Sequence, residues 1–197
     1  MLEKAGTQTQ AQEHTIAIAG RGGQGVVLAA TLLAKAAFKK GLYVAQLQSY
    51  GAEVRGGAVV AYVVLSKQPI ENPYPESYDL VIALHEAGVA RRRNEILASK
   101  AIIADEDLVK PIPQNNVIQA KIVKSGTPNM VALGVTAALI PALTEELRKE
   151  ISKLRNAEEN LKSFNTGLEL GARLLSKHMK LKDVAENLTK LVSSNSL

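Results

Sequence analysis

An apolar run, Thr15-Ile-Ala-Ile-Ala19, enters Gly20-Arg21-Gly22-Gly23-Gln24-Gly25 and leaves directly into a second apolar run over residues 26–40. No other feature constrains the chain as tightly. A strand that turns into a helix within a few residues needs glycine, which accepts backbone angles closed to other residues and lets the chain approach a ligand closely. The helix that follows presents unpaired N–H groups and the positive end of its dipole to whatever lies above the turn. Strand, glycine turn and helix together specify the first unit of an α/β domain and a candidate phosphate-type site at residues 20–25.

The pattern continues downstream. Continuous apolar or β-rich runs predict strands at residues 15–19, 42–48, 58–65, 79–84, 101–104 and 117–122, with helices at 24–40 and 86–98. Runs without alternation mark strands buried on both faces, as in a largely parallel sheet. The last third reads as helical. Thr127 as cap and Pro128 at the first position start a helix to about residue 140, and Pro141 breaks it. Residues 144–155 are amphipathic, with Leu143, Leu147, Ile151 and Leu154 on one stripe. Residues 161–179 are expected to be helical with an interruption at 165–167, and 181–192 form a closing amphipathic helix. The expected fold class is α/β: a Rossmann-like, doubly wound, largely parallel sheet with helices on both faces and a helical C-terminal extension. Residues 1–14 are expected as a disordered tail, 15–180 as the α/β domain, and 181–197 as a C-terminal helix and tail.

Composition narrows the function classes. Of 197 residues, 46% are apolar but only 4% aromatic, so the core is aliphatic. There is no cysteine, which excludes disulfides, cysteine-ligated zinc and iron–sulfur clusters held by this chain. No apolar run approaches the ~20 residues that cross a membrane, and no signal peptide starts the chain, so a cytoplasmic location is expected. The net charge of +5 raises nucleic acid as a partner. Against it, the basic residues are scattered and no aromatics interleave with them. The dense cluster Arg91-Arg92-Arg93 reads as a solvated helix face. Neither nucleic acid nor a membrane is an expected partner.

Gly20, Gly22 and Gly25 satisfy G-x-G-x-x-G, but a nicotinamide site also needs an acid about 20 residues on, at the end of the second strand. That end reads Ala45-Gln-Leu-Gln-Ser49, and the first acid is Glu53, in a glycine-flanked loop. The departure counts against a free-standing nucleotide-binding oxidoreductase, which stays as the alternative. The loop itself, Ser49-Tyr50-Gly51-Ala52-Glu53-Val54-Arg55-Gly56-Gly57, is the second constellation. In an open α/β sheet, loops at the carboxyl ends of neighbouring strands share one crevice, so it is expected to face residues 20–25. Glu53 and Arg55 either pair with each other or work together, Arg55 forking onto a phosphate or carboxylate while Glu53 holds it. Ligand site and subunit interface are both open readings of this loop. His14, His85 and His178 form no ligand cluster, and His85 reads as a structural or surface histidine. No nucleophile–base arrangement is legible, so neither catalytic residues nor metal ligands are assigned to the chain.

At these residues the chain resembles a known family. Gly20–Gly25, the 49–57 loop, Asp79-Leu-Val-Ile-Ala-Leu84, Asn129-Met-Val-Ala-Leu-Gly134 and Leu161-Lys-Ser-Phe-Asn-Thr-Gly-Leu-Glu-Leu-Gly171 resemble, in consistent order, the gamma subunit of 2-oxoacid:ferredoxin oxidoreductases. These are enzymes of the pyruvate, 2-oxoglutarate and 2-ketoisovalerate type. The resemblance implies one subunit of a larger enzyme, inert alone. In it, thiamine diphosphate with Mg2+ decarboxylates a 2-oxoacid oxidatively, coenzyme A takes the acyl group, and iron–sulfur clusters pass electrons to ferredoxin. It implies that thiamine diphosphate and the clusters sit on partner chains, one thiamine-binding and one ferredoxin-like. The gamma domain is similar to a swivelling piece that helps close the active site and bind coenzyme A. On that reading Gly22, Gly23, Gln24 and Gly25 supply backbone donors to a coenzyme A phosphate. Arg21 and Arg55 supply charge, Tyr50 and Glu53 order the loop, and Gly56 lies at the site. The resemblance does not separate the 2-oxoacid substrates.

Overall fold

A computed structural model describes residues 13–53 and 56–193. It contains β1 (His14–Arg21), α1 (Val26–Lys39), β2 (Tyr43–Tyr50), β3 (Ala58–Ser66), β4 (Leu80–Ala83), α2 (Glu86–Arg91), α3 (Arg93–Leu97), β5 (Ala101–Asp105), β6 (Val117–Ala120), α4 (Pro128–Leu139), α5 (Thr144–Ile151), α6 (Ala157–Lys177) and α7 (Met179–Ser193). The strands form one 6-stranded sheet in the order β2-β3-β1-β4-β5-β6. β1, β4, β5 and β6 pair in parallel. β3 runs antiparallel to both β1 and β2, so β2 points the same way as β1. The sheet is therefore largely parallel, with β3 reversed inside it.

Alternation along each strand separates two cores. Ile16 and Ile18 of β1, Val63 and Leu65 of β3, Leu80 and Ile82 of β4 face α1, α4, α5, α6 and α7. Ala17 and Ala19, Val60 and Tyr62, Val81 and Ala83 face the other way, toward Val89 of α2 and Ile96 of α3. Helices thus cover both faces, and the interior strands β1, β3, β4 and β5 are buried almost throughout. β2 lies at the edge and is half-exposed.

Local signals set the element ends. α1 stops at Gly41, which adopts φ 81° and donates its N–H to Phe38 O at 2.9 Å. The helix expected over 86–98 is broken at Arg92 (φ −131°) into α2 and α3. Thr127 occupies the cap position of α4, but its side chain makes no capping bond; its N–H instead donates to Ser163 Oγ at 3.0 Å. The interruption expected at 165–167 is absent: α6 is continuous. Gly167 is there because α4 and α6 pack backbone to backbone. A Cβ on Gly167 would stand 2.9 Å from Gly134 Cα and against Val131 O. The apolar stripes of α5 and α7 are spent inside the molecule, with Leu147, Ile151, Leu181, Leu188 and Val192 buried.

Ion pairs lock the periphery. Asp79 at the amino edge accepts the Thr15 N–H at 2.7 Å and Lys100 Nζ at 2.5 Å, with His14 Nδ1 at 3.4 Å. Burial works against its charge, but attraction from His14, Lys100 and the Thr15 N–H holds the carboxyl below its ordinary range. Glu150 of α5 is buried and accepts Lys153 at 2.5 Å and Lys39 of α1 at 2.6 Å. Those two hydrogen bonds push its carboxyl down to about 2.

Two outcomes follow from this packing. Gly167→Leu forces α4 from α6 and costs roughly 3 kcal/mol or more, read as a lower melting temperature by differential scanning calorimetry. Glu150 is held ionised to low pH, so its contribution is complete above the ordinary value of 4.5 and disappears as pH falls through about 2. Glu150→Gln therefore melts below the parent at pH 7, and the gap narrows between pH 4.5 and 2.

Candidate functional site

The carboxyl ends of β1, β2, β4 and β5 converge at one edge of the sheet, where ligands bind in open α/β folds. β1 ends at Arg21, whose N–H donates to Gln24 Oε1 at 2.8 Å while Gln24 N–H returns to Arg21 O at 3.1 Å. Gln24 Nε2 reaches across to Leu84 O at 3.3 Å, at the end of β4. The turn is thus a closed unit tied to two strands.

Gly23 and Gly25 carry φ of 95° and 72°, values that a side chain disfavours. Among the described residues, a Cβ on Gly23 would meet nothing within 4 Å, so none of them covers the crest of the turn. Gly25 caps α1. The first N–H to close the helix is that of Ala29, on Gly25 O at 3.0 Å. The N–H groups of Val26, Val27 and Leu28 therefore precede the helical ladder and face the crest.

Gly56 and Gly57 lie directly against this turn. Gly22 N–H donates to Gly57 O at 2.8 Å, and Arg21 Nε donates to Gly56 O at 2.6 Å. A Cβ on Gly22 would sit 3.2 Å from the Gly56 backbone, so the contact is backbone on backbone. Glu53 folds back over the loop: a Cβ on Gly57 would lie 2.5 Å from its Oε2. Tyr50 stands exposed at the end of β2. The structure therefore brings Arg21, Gly22, Gln24, Gly56 and Glu53 together, with Tyr50 at the rim. Arg55 lies outside the described residues. The expected backbone donors divide into two groups. Gly22 and Gln24 spend their N–H groups on holding the turn, whereas those of Gly23 and Gly25 have no partner among the described residues.

Two nearby residues, Asn129 and Asp105, carry roles that the sequence reading did not assign, and a third, His85, takes the structural one of the two roles expected for it. Asn129, the second residue of α4, lies with its amide nitrogen against Gly25, where a Cβ would otherwise stand. Its helix-start position was legible, but its neighbour was not. Asp105, fully buried at the end of β5, accepts Asp107 and Leu108 N–H on Oδ1 and Ile122 and Val123 N–H on Oδ2, at 2.8–3.2 Å. An acid directly after an apolar strand was the available signal. His85 caps α2, its Nδ1 accepting Ala87 N–H at 3.1 Å. That gives it a structural role.

Comparison with known proteins places the chain. Residues 15–170 match the family described as pyruvate ferredoxin/flavodoxin oxidoreductase, and the chain belongs to that family. It is similar to the 2-oxoglutarate synthase subunit KorC of Archaeoglobus fulgidus, 36% identical over 174 residues that cover 83% of this chain and 90% of that one. Its fold is similar to a keto/oxoacid ferredoxin oxidoreductase gamma subunit from Geobacter sulfurreducens, with a TM-score of 0.69 and 29% identity, covering 83% of this chain and 98% of that chain. It also overlays 32% of the 2-oxoglutarate:ferredoxin oxidoreductase chain of Magnetococcus marinus, solved with 2-oxoglutarate, coenzyme A and succinyl-CoA bound. That overlay has a TM-score of 0.73 at 22% identity over 83% of this chain, a likeness of fold.

The turn predicts its own sensitivity. Gly25→Ala places a Cβ on the Asn129 amide at a left-handed φ, which costs ~2 kcal/mol or more. A thermal melt of the full chain should show it, while Ala at the solvent-exposed position of Lys35 leaves the melt unchanged.

Proposed function

We propose that this member of the pyruvate ferredoxin/flavodoxin oxidoreductase family is the gamma subunit of a multisubunit, thiamine diphosphate-dependent 2-oxoacid:ferredoxin oxidoreductase. The assembled enzyme converts a 2-oxoacid, coenzyme A and oxidised ferredoxin to acyl-CoA, CO2 and reduced ferredoxin. Thiamine diphosphate, Mg2+ and iron–sulfur clusters belong to partner chains, since this one has no cysteine to hold a cluster. Its own task is to close over the active site and bind coenzyme A, and it is inactive alone.

One observation carries the ligand reading: an open glycine crest at the N-terminus of a long helix, with no acid placed to receive a nicotinamide ribose. The crest suits a phosphate. Gly23 and Gly25, with the first N–H groups of α1, are its donors, and Gly22 and Gln24 hold the turn in place. Arg21 fixes Gly56 through Nε and keeps the rest of its guanidinium for charge. Glu53 and Tyr50 order the facing loop, and Arg55 is assigned the second positive charge. What supports the subunit reading is the similarity to KorC along most of both chains. The likeness of fold to one third of a chain solved with coenzyme A bound is compatible with that ligand.

Purification from the native host under anaerobic conditions should bring thiamine-binding and cluster-binding chains with this one. The mixture should show coenzyme A-dependent reduction of ferredoxin by a 2-oxoacid. In that enzyme, Arg21→Ala raises the KM for coenzyme A about tenfold, the equivalent of ~1.4 kcal/mol, the scale of one charge-assisted hydrogen bond. Gly23→Leu, which fills the crest, raises it further. A coenzyme A titration that neither change alters sinks the ligand assignment and leaves both loops as subunit interface.

A further inference from the structure

Asn129 is 4% exposed, and its side-chain amide makes no hydrogen bond among the described residues. Among the described residues, the fully sealed side-chain polar atoms that lack a hydrogen bond are His14 Nδ1, which stands in an ion pair with Asp79, and Tyr78 OH. The Asn129 amide is not among them, so it is not fully sealed from solvent. It lies against Gly25, the cap of α1, next to the turn.

The contact also joins two helix ends. Gly25 caps α1, of 14 residues, and Asn129 is the second residue of α4, of 12 residues. Each N-terminus carries roughly half a positive charge. Two such ends in contact repel each other unless an anion lies between them. Pro128 has no N–H to offer at the first position of α4, so the donors at this end are the Asn129 N–H and, reaching farther, its side-chain amide. A single phosphoryl group is already served by the α1 turn. A second, linked phosphoryl group is what the α4 end would take.

We infer that Asn129 is the specificity-determining residue of the crest, its amide donating to the second phosphoryl group of a diphosphate that spans the N-termini of α1 and α4. The inference rests on the coenzyme A reading above. It adds that the crest reads the diphosphate and not a lone phosphate.

Titration calorimetry of the full chain and of the assembled enzyme, with inorganic diphosphate, inorganic phosphate and coenzyme A as probes, tests it. The parent should bind diphosphate at least tenfold more tightly than phosphate. Asn129→Asp has nearly the same shape and puts a carboxylate where it favours both helix dipoles. It should raise the melting temperature or leave it unchanged while weakening diphosphate and coenzyme A more than tenfold. In the enzyme the KM for coenzyme A should rise with kcat at saturation within twofold. Asn129→Leu removes the donor without a charge and should weaken diphosphate without affecting phosphate. Affinity within twofold of the parent in both variants, or equal binding of phosphate and diphosphate by the parent, overturns the inference. If Arg21→Ala still weakens coenzyme A in that case, the coenzyme A reading survives it. If the parent binds neither diphosphate nor coenzyme A, both readings fall together.

Discussion

Everything at the carboxyl edge of the sheet depends on backbone approaching backbone where a side chain would stand in the way. Gly22 meets Gly56, and that approach brings the 51–57 loop onto the turn. Gly134 meets Gly167, and that approach sets how deeply α4 sits against α6. The start of α4 is fixed in turn by Thr127 N–H on Ser163 Oγ of α6. The depth and start of α4 put Asn129 against Gly25. A crest geometry is thus held from two directions, by a loop on one side and by a helix pair on the other. Interiors packed at this density do not absorb an added methyl group by small adjustments.

Much of this was legible in the residues. The run into Gly20–Gly25 fixed β1, its turn and α1, because a positive φ and a close approach admit few alternatives. The continuous apolar runs gave the covered sheet, and Pro141 ended α4 as expected. The reversal of β3 was not drawn from its composition, because a run such as Ala58 to Leu65 reports burial of both faces and not direction. Connection length does report direction: residues 51–57 are too few for a parallel crossover, which takes a dozen or more. The break at Arg92 and the continuity of α6 were hidden for a related reason. Each is decided by what the segment packs on, which a single segment does not contain.

The site shows the same division. The turn and its facing loop were found together, since the rule for open sheets brings neighbouring carboxyl ends into one crevice. Asn129 and Asp105 were not, because their partners lie far away in sequence: Gly25 for one, and the Ile122 and Val123 N–H groups for the other. Arg21 combines both cases. Its charge was legible, whereas its use of Nε to fasten Gly56 belongs to the fold. A side chain that holds Gly56 with one nitrogen and, as proposed, offers the others to a ligand would couple loop position to binding. That coupling suits a domain whose proposed task is to close over a co-substrate.

Hydrogen exchange of the assembled enzyme, with and without coenzyme A, tests the central claim most directly. The amides of residues 22–28 carry the proposed donors, and they can be followed without altering a residue. The account predicts that coenzyme A slows exchange in that segment and at the start of α4, while the amino edge around Asp79 is unchanged. Protection confined to partner subunits, with residues 22–28 exchanging at the same rate in both states, would contradict it.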